Sequence, residues 1–461
     1  NSFCTLLVRP IIVAMSRGSL GTIAAFAVAF VIGGALAATQ CSIPAGEGWS
    51  NVGGDARRSS FKELAFATGR NLFPDPCFDI EFPLSTNGGS NAVTTPPVLV
   101  DGMACTVVVS GTGSVVCYHL NGTVAHNVSL HQTPDWQNQL TCSPPSIAGG
   151  ANGHSTLLTV YCTTDSVASG LFAFEFAGGV LAHKWTSAAG LKSSNGAIGS
   201  ADGQYVYSPV TVSNGLRTVA ALHVVSGDVA WYSVASDLIS AQQAEISVGH
   251  NGETILWSGT GGGSSGAISA TTGEFVWTKD FLSPNFGPRN VYPVAPSGDA
   301  AGTVVTLGAE GSNPGYGVAA LNITQRTNVV PRWTTYGQCS EGYTLPAAYD
   351  KGAFVRCNNA VAQYSLLTGQ AVASTPYVFS DFTNPLGPPP PIVTLTHVFV
   401  TSANRCVYGY DRTTDMSQQV MSYCVTGQSN GYSMSYIVGL ALAGNTLVIT
   451  TSFGIHGVAI L

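Results

Sequence analysis

Tight-turn dipeptides recur along this chain at an almost constant interval. They are Asp101-Gly102, Asn152-Gly153, Asp202-Gly203, Asn251-Gly252, Gly298-Asp299, Asp350-Lys351-Gly352 and Gly444-Asn445, each set between apolar, β-rich runs. Counted on Asp101, Asn152, Asp202, Asn251, Asp299 and Asp350, the intervals are 51, 50, 49, 48 and 51 residues. The next step, 94 residues from Asp350 to Gly444, is close to twice 47. One turn is therefore missing, and the apolar run 393–401 around His397 fills the gap. A period of this size marks a repeat architecture, in which each unit buries its apolar faces only by stacking on its neighbours. The count is eight units, with seven as the alternative if the register slips.

Within a unit the order is consistent. An apolar strand leads to the turn, and a second strand follows, as in Thr106-Val-Val-Val-Ser110. A third strand then ends in Thr/Ser-Gly, and a fourth ends in an aromatic. Two units show this plainly: Ala221-Leu-His-Val-Val-Ser-Gly-Asp-Val-Ala-Trp231 and Ala267-Ile-Ser-Ala-Thr-Thr-Gly-Glu-Phe-Val-Trp277. A looser copy ends at Trp185, Trp333 stands one unit after Trp277, and Tyr364-Ser-Leu-Leu-Thr-Gly-Gln370 keeps the turn without the Trp. These units resemble the repeats of the quinoprotein-dehydrogenase-like (PQQ) β-propellers, and Trp49-Ser-Asn-Val-Gly-Gly-Asp-Ala-Arg-Arg58 is similar to the lead-in of such propellers. The resemblance covers about residues 46–461 and implies that Trp185, Trp231, Trp277 and Trp333 dock neighbouring blades. A Trp on an outer strand suits that role, since it offers a large flat area to the next sheet.

The expected fold is all-β: one eight-bladed β-propeller of four-stranded antiparallel blades. The last unit supplies three strands, over 436–443, 446–451 and 457–461, and then the chain stops. Cys77-Phe-Asp-Ile-Glu-Phe-Pro-Leu84 has the pattern of a fourth strand and is expected to close the ring beside 457–461. Closure removes the open sheet edges that invite aggregation.

The N-terminal segment reads differently. Met15 and Arg17 precede an apolar run over 23–38 that ends Ala35-Leu36-Ala37-Ala38. That is the three-part pattern of a secretory signal. Its 16 residues fall short of the roughly 20 needed to span a bilayer. The expected division is 1–14 as upstream translation, 15–38 as signal peptide, 39–74 as lead-in and 75–461 as propeller, with an uncleaved signal anchor as the alternative. Of 11 Cys, only Cys4 lies in the leader. The other ten are locally spaced. Neighbour pairing, the simplest of many connectivities, gives Cys105/Cys117, Cys142/Cys162, Cys339/Cys357 and Cys406/Cys424, with Cys41/Cys77 left over. Buried free thiols are the alternative for some of them. Five disulfides fit an oxidising compartment. Sequons at Asn121, Asn127 and Asn322 fit N-glycosylation on the same route.

Motifs of catalysis are weak. Gly427-Gln-Ser429-Asn-Gly431 matches G-x-S-x-G but lacks the strand–turn–helix setting of a nucleophile elbow. Gly261-Gly-Gly-Ser-Ser-Gly266 matches GxGxxG, yet a strand rather than a helix follows. His126 and His131 are five apart without a carboxylate partner, and no CxxC, HExxH or EF-hand run occurs. Pro388–Pro391 reads as a stiff connector. The resemblance places a quinone on the ring axis, with a vicinal Cys–Cys disulfide, a calcium held by Glu, Asn and Asp, and an Asp base. No two Cys are adjacent here, and no position carries over.

We therefore expect no catalytic, cofactor-binding or metal-binding residues, and a secreted or cell-surface scaffold. Its partner would be a protein or glycan on a propeller face, or a second copy. Charged residues are only 9% of the chain, and 17 Lys+Arg against 24 Asp+Glu give net −7, which excludes a basic nucleic-acid binder. No membrane span is expected after signal cleavage. The alternatives are a diverged quinone- or metal-dependent oxidoreductase and a periplasmic assembly-factor-like propeller.

Overall fold

A computed structural model describes residues 40–461 apart from 46, 52–53, 56–58, 83–93, 110–112, 131–140, 152, 154, 164–169, 188–195, 212–216, 234–243, 250–251, 260–264, 280–301, 310–315, 325–329, 340–345, 350, 358–359, 377–388, 403–404 and 427–435. The leader over 1–38, Gly298-Asp299, the Ser429 motif, residues 261–264, His131 and Pro388 lie outside the described residues. So do the side chains of Cys339 and Cys357. Ser265 and Gly266 open the strand Ser265–Ser269, so a strand follows the glycine-rich motif as expected.

Eight antiparallel sheets follow one another along the chain. We number them blades 1 to 8, over 98–129, 141–187, 198–232, 244–279, 303–339, 347–374, 392–424 and 437–460. Blade 8 is completed by Pro74–Glu81, which pairs antiparallel with Gly454–Ile460. The ring is thus closed by an N-terminal strand, as expected, starting three residues earlier than the sequence pattern suggested. Pro74 and Pro76 sit in this strand, which is an edge, the place in a sheet where missing N–H donors cost least. Blade 5 shows three strands among the described residues.

First strands line the axis. Val98–Val100 touches Ser146–Gly149, which touches Ile198–Gly199, which touches Ala244–Val248. On the other side Ala347–Ala348 touches Ile392–Thr394, which touches Ile437–Ala443, which returns to Val98–Val100. Cores form between blades, as where Leu256 and Ala267 of blade 4 pack with Val304 and Leu321 of blade 5. Second strands are accordingly buried on both faces, and all six residues of Met103–Val108 and of Thr446–Thr451 are buried.

One backbone device recurs in every blade. The fourth strand carries an extra, bulged residue just before the side chain that reaches the next blade. Ala221 pairs with Trp231 while Leu222 pairs with Val229, so Ala230 is extra. The same shift precedes Trp185, Trp277 and Trp333, and also His126, Ala373, Met421 and Phe78. A bulge sharpens the local twist and re-aims the side chain that follows. The rings of Trp185, Trp231 and Trp333 then lie on Gly227, Gly273 and Gly369 of the neighbouring turns. A Cβ on Gly227 would sit 2.5 Å from the Trp185 ring, and one on Gly369 2.6 Å from Trp333. Trp185 Nε1 donates to Val224 O at 2.9 Å and Trp333 Nε1 to Leu366 O at 2.8 Å. Trp231 lacks this bond, and the Ala270 carbonyl in the corresponding turn instead accepts from Tyr207 Oη at 3.2 Å.

At the closure, Phe78 takes the Trp position. Its ring covers Gly457 so closely that any Cβ there would fall far inside van der Waals contact, and its own Cβ faces Gly122 of blade 1. Gly457→Ala is expected to destabilise the fold by about 1–3 kcal/mol, the usual cost of overpacking. Phe78→Leu in the same chain should recover part of that loss, because residues in contact couple. Urea unfolding of the three variants checks this, and independent, additive losses would refute the contact.

The missing turn of blade 7 is Leu395-Thr396, between Ile392–Thr394 and His397–Thr401. No Gly or Asn is needed because Thr394 holds it. Its Oγ1 accepts from His397 N at 2.9 Å and donates to His397 O at 3.1 Å.

Candidate functional site at the ring axis

The lead-in is not a tail. Trp49 pairs antiparallel with Leu99 on the inner edge of blade 1, with N–H···O bonds of 3.0 Å in both directions. Ile147 N of blade 2 donates to Ser50 O at 2.7 Å. The chain then reverses, and Phe61–Lys62 pairs parallel with Val393–Thr394 on the inner edge of blade 7. Lys62 Nζ donates to Gly48 O at 2.9 Å, joining the two arms. The result is a hairpin within the ring, paired with the inner strands of blades 1 and 7, which flank blade 8.

Local chemistry builds this hairpin. Ser60 adopts φ of 52°, a left-handed backbone rare outside glycine. That twist sends successive carbonyls to different blades: Ser59 O accepts from Ala348 N of blade 6 and Ser60 O from Val393 N of blade 7, both at 2.8 Å. Asp55 caps the return by accepting from Ser59 N and Oγ, each at 3.1 Å. Glu47 accepts from Gly444 N of blade 8 at 3.0 Å and lies 3.8 Å from Lys62 Nζ. Burial lowers the Lys62 ammonium pKa, with Glu47 and Asp55 opposing the shift. Trp49, Asn51, Ser59 and Ser60 are all buried.

Beyond the hairpin the chain runs outward under blade 7. Leu395 N donates to Leu64 O, Phe66 N to Thr396 Oγ1 at 2.8 Å and Gly69 N to Asp411 Oδ2 at 3.2 Å. Here lies a compact polar cluster. His397 is fully buried, with Nδ1 2.9 Å from Thr396 Oγ1 and Phe66 edge-on to its ring. Arg412 stands over the Tyr349 ring at 4.1 Å, donates to Thr394 O at 2.9 Å and bonds the Tyr349 hydroxyl. Burial pushes the Asp411 carboxyl up, but hydrogen bonds from Thr413 and Gly69 outweigh it and hold the pKa below the ordinary value.

Two buried histidines carry a pH signature. Burial lowers the pKa of His397 against the pull of Asp411. Burial also lowers that of His456, against Asp79, whose Oδ1 lies 2.6 Å from His456 Nδ1 across the closing strand pair. As pH falls below the ordinary histidine range, near 6.5, the unfolded chain takes up protons that the folded chain refuses. Stability should therefore drop between about pH 6.5 and the lowered folded pKa values. Urea midpoints at pH 7.5 and 5.5 check it: His456→Asn should shrink the drop, and an unchanged drop in that variant would count against the assignment.

Four disulfides are formed among the described residues. Cys105–Cys117, Cys142–Cys162 and Cys406–Cys424 join directly opposed residues of adjacent strands. Cys41–Cys77 ties the start of the lead-in to the closing strand. Asn121, Asn127 and Asn322 lie on blades 1 and 5, away from the axial hairpin.

The axial residues do not fit a quinone–calcium centre. The carboxylates of the hairpin, Glu47 and Asp55, already serve backbone N–H groups and neighbouring side chains of the chain itself. Among the described residues no three His, Cys, Asp or Glu gather as a metal site. The hairpin escaped sequence reading because its bonds are made to strands tens to hundreds of residues away. The only signal was the similarity of residues 49–58 to a propeller lead-in.

No protein-family model matches the chain, and no curated protein does. Solved structures do. BamB from Moraxella catarrhalis aligns at TM-score 0.49 and 13% identity, over 84% of this chain and all of that one. Saccharomyces cerevisiae Sqt1 aligns at TM-score 0.53 and 10% identity, over 83% of this chain and 97% of that one. Chaetomium thermophilum Raptor aligns at TM-score 0.47 and 8% identity, over 85% of this chain and 30% of that one. At these identities the likeness speaks to fold and not to activity.

Proposed function

We propose that this chain is a secreted or cell-surface, non-catalytic scaffold that binds a protein or glycan partner, or a second copy of itself, through a face of the ring. One observation carries the reading: the hairpin of residues 47–62 fills inner-strand edges with the chain's own backbone and engages its own carboxylates. Such an axis serves rigidity better than turnover. The disulfides support an oxidising setting. Among the described residues no helix is long and apolar enough to cross a membrane. Removal of residues 15–38 as a signal peptide, attachment to an extracellular layer and N-glycosylation belong to the same reading.

The test is made on the purified full chain. Its absorption spectrum should stay featureless above the protein band after incubation with pyrroloquinoline quinone and calcium, and dialysis should remove all the quinone. Light scattering or electron microscopy should then show assembly with itself or with an added extracellular partner. Retained quinone with dye-linked alcohol oxidation would overturn the proposal.

A further inference from the structure

The three sequons are not equivalent. At Asn121, Oδ1 accepts from Thr123 N at 3.0 Å and from Thr123 Oγ1 at 2.7 Å. At Asn322, Oδ1 accepts from Thr324 N at 3.0 Å and from Thr324 Oγ1 at 2.7 Å. The two side-chain turns match, although their surrounding sequences, Leu120-Asn-Gly-Thr-Val124 and Leu321-Asn-Ile-Thr, share little beyond the motif. Both stand at the end of the strand next to the outermost one of a blade, after Ser114–His119 in blade 1 and at the end of Tyr316–Asn322 in blade 5. Asn127 is different. It lies inside the strand Val124–Ser129, paired with Val116. An extended strand cannot bring the Asn127 amide back onto Ser129 N without giving up that pairing.

We infer that Asn121 and Asn322 carry N-linked glycans and Asn127 does not, an inference that rests on the secretory reading above. In the transfer, Asn Nδ2 attacks C1 of the first sugar of a polyprenyl-diphosphate-linked oligosaccharide. The N–C1 bond forms as the C1–O bond breaks. The lipid diphosphate leaves with the electron pair, and an amide proton passes to a base of the transferase. The folded turn leaves Nδ2 free, because the carbonyl oxygen takes both bonds from the Thr. This turn spans three residues and closes on hydrogen bonds within the motif itself. The hairpin holding Asn127 is also local, and Cys105–Cys117 ties its first strand to the strand before it.

Blades 1 and 5 are four apart in a ring of eight, so the two glycans stand across the axis from each other. Both rise from the face that carries the turns into the outermost strands. A partner on that face must fit between two sugar chains, whereas the opposite face is free of both.

The experiment expresses the full chain behind a host secretory signal in a eukaryotic cell, so that its result does not depend on whether residues 15–38 direct export. That question is read separately, by secretion with the chain's own leader. Deglycosylation in heavy-oxygen water followed by peptide mass spectrometry then scores each site. Label is expected at Asn121 and Asn322 and absent at Asn127. Asn121→Gln and Ser129→Thr should each leave Asn127 bare. Label at Asn127 in the wild-type chain, its appearance in either variant, or an empty Asn121 or Asn322 would overturn the inference.

Discussion

Trp49→Ala should cost about 3–5 kcal/mol, the range for truncating a buried large aromatic. Trp49 is 1% exposed and is among the largest fully buried side chains of the molecule. It packs in the core shared by blades 1, 7 and 8, beside Leu99, Phe399 and Leu442. Its ring also rests on Gly54, whose φ is 91° and where an added Cβ would lie 3.1 Å from the indole, so the reversal of the hairpin is shaped against the ring. Loss of the ring therefore removes apolar burial and the template for the turn together. Urea unfolding followed by tyrosine fluorescence measures the loss. Trp231→Ala provides the contrast, since that ring is half-buried and makes no hydrogen bond through Nε1. Equal losses in the two variants would show that the axial hairpin adds nothing beyond an ordinary docking contact.

Legibility followed the range of the interactions. Turns between adjacent strands are made within a few residues, so Asp101-Gly102 and its counterparts announced the period, and the period announced the ring. The closing strand was readable because alternation in Cys77–Phe82 survives without its partner. The docking positions were readable only where a Trp marked them. His126, Ala373 and Met421 follow the same bulge as Trp231 and reach the same kind of neighbour, as His126 does Phe176 at 6.0 Å. What they share is backbone register, which no residue type encodes. Blade 7 hid its turn for a related reason, since a Thr394 hydroxyl did the work of a glycine. The axial hairpin was least legible, because residues 47–62 find partners in blades 1, 2, 6, 7 and 8, and only the assembled ring brings those edges together.

The remaining large effect concerns how that hairpin is held. Cys41–Cys77 spans 36 residues, against 12, 20 and 18 for the three bonds within blades. On the chain-entropy account the longer loop is worth about 4 kcal/mol and the short ones about 3 each. The location adds a further difference. The three short bonds tie strands that already pair, whereas Cys41–Cys77 encloses the entire hairpin and the run under blade 7 between its two ends. Replacing both cysteines by serine should therefore lower stability by about 4 kcal/mol and, unlike the Cys406/Cys424 double serine variant, expose the lead-in to protease in the native state. Limited proteolysis with N-terminal sequencing of fragments distinguishes the two. Cleavage between residues 41 and 74 in the first variant and not in the second is the expected result. Protection of that segment in both would mean that the bonds of residues 47–62 to the inner strands hold the hairpin without the disulfide.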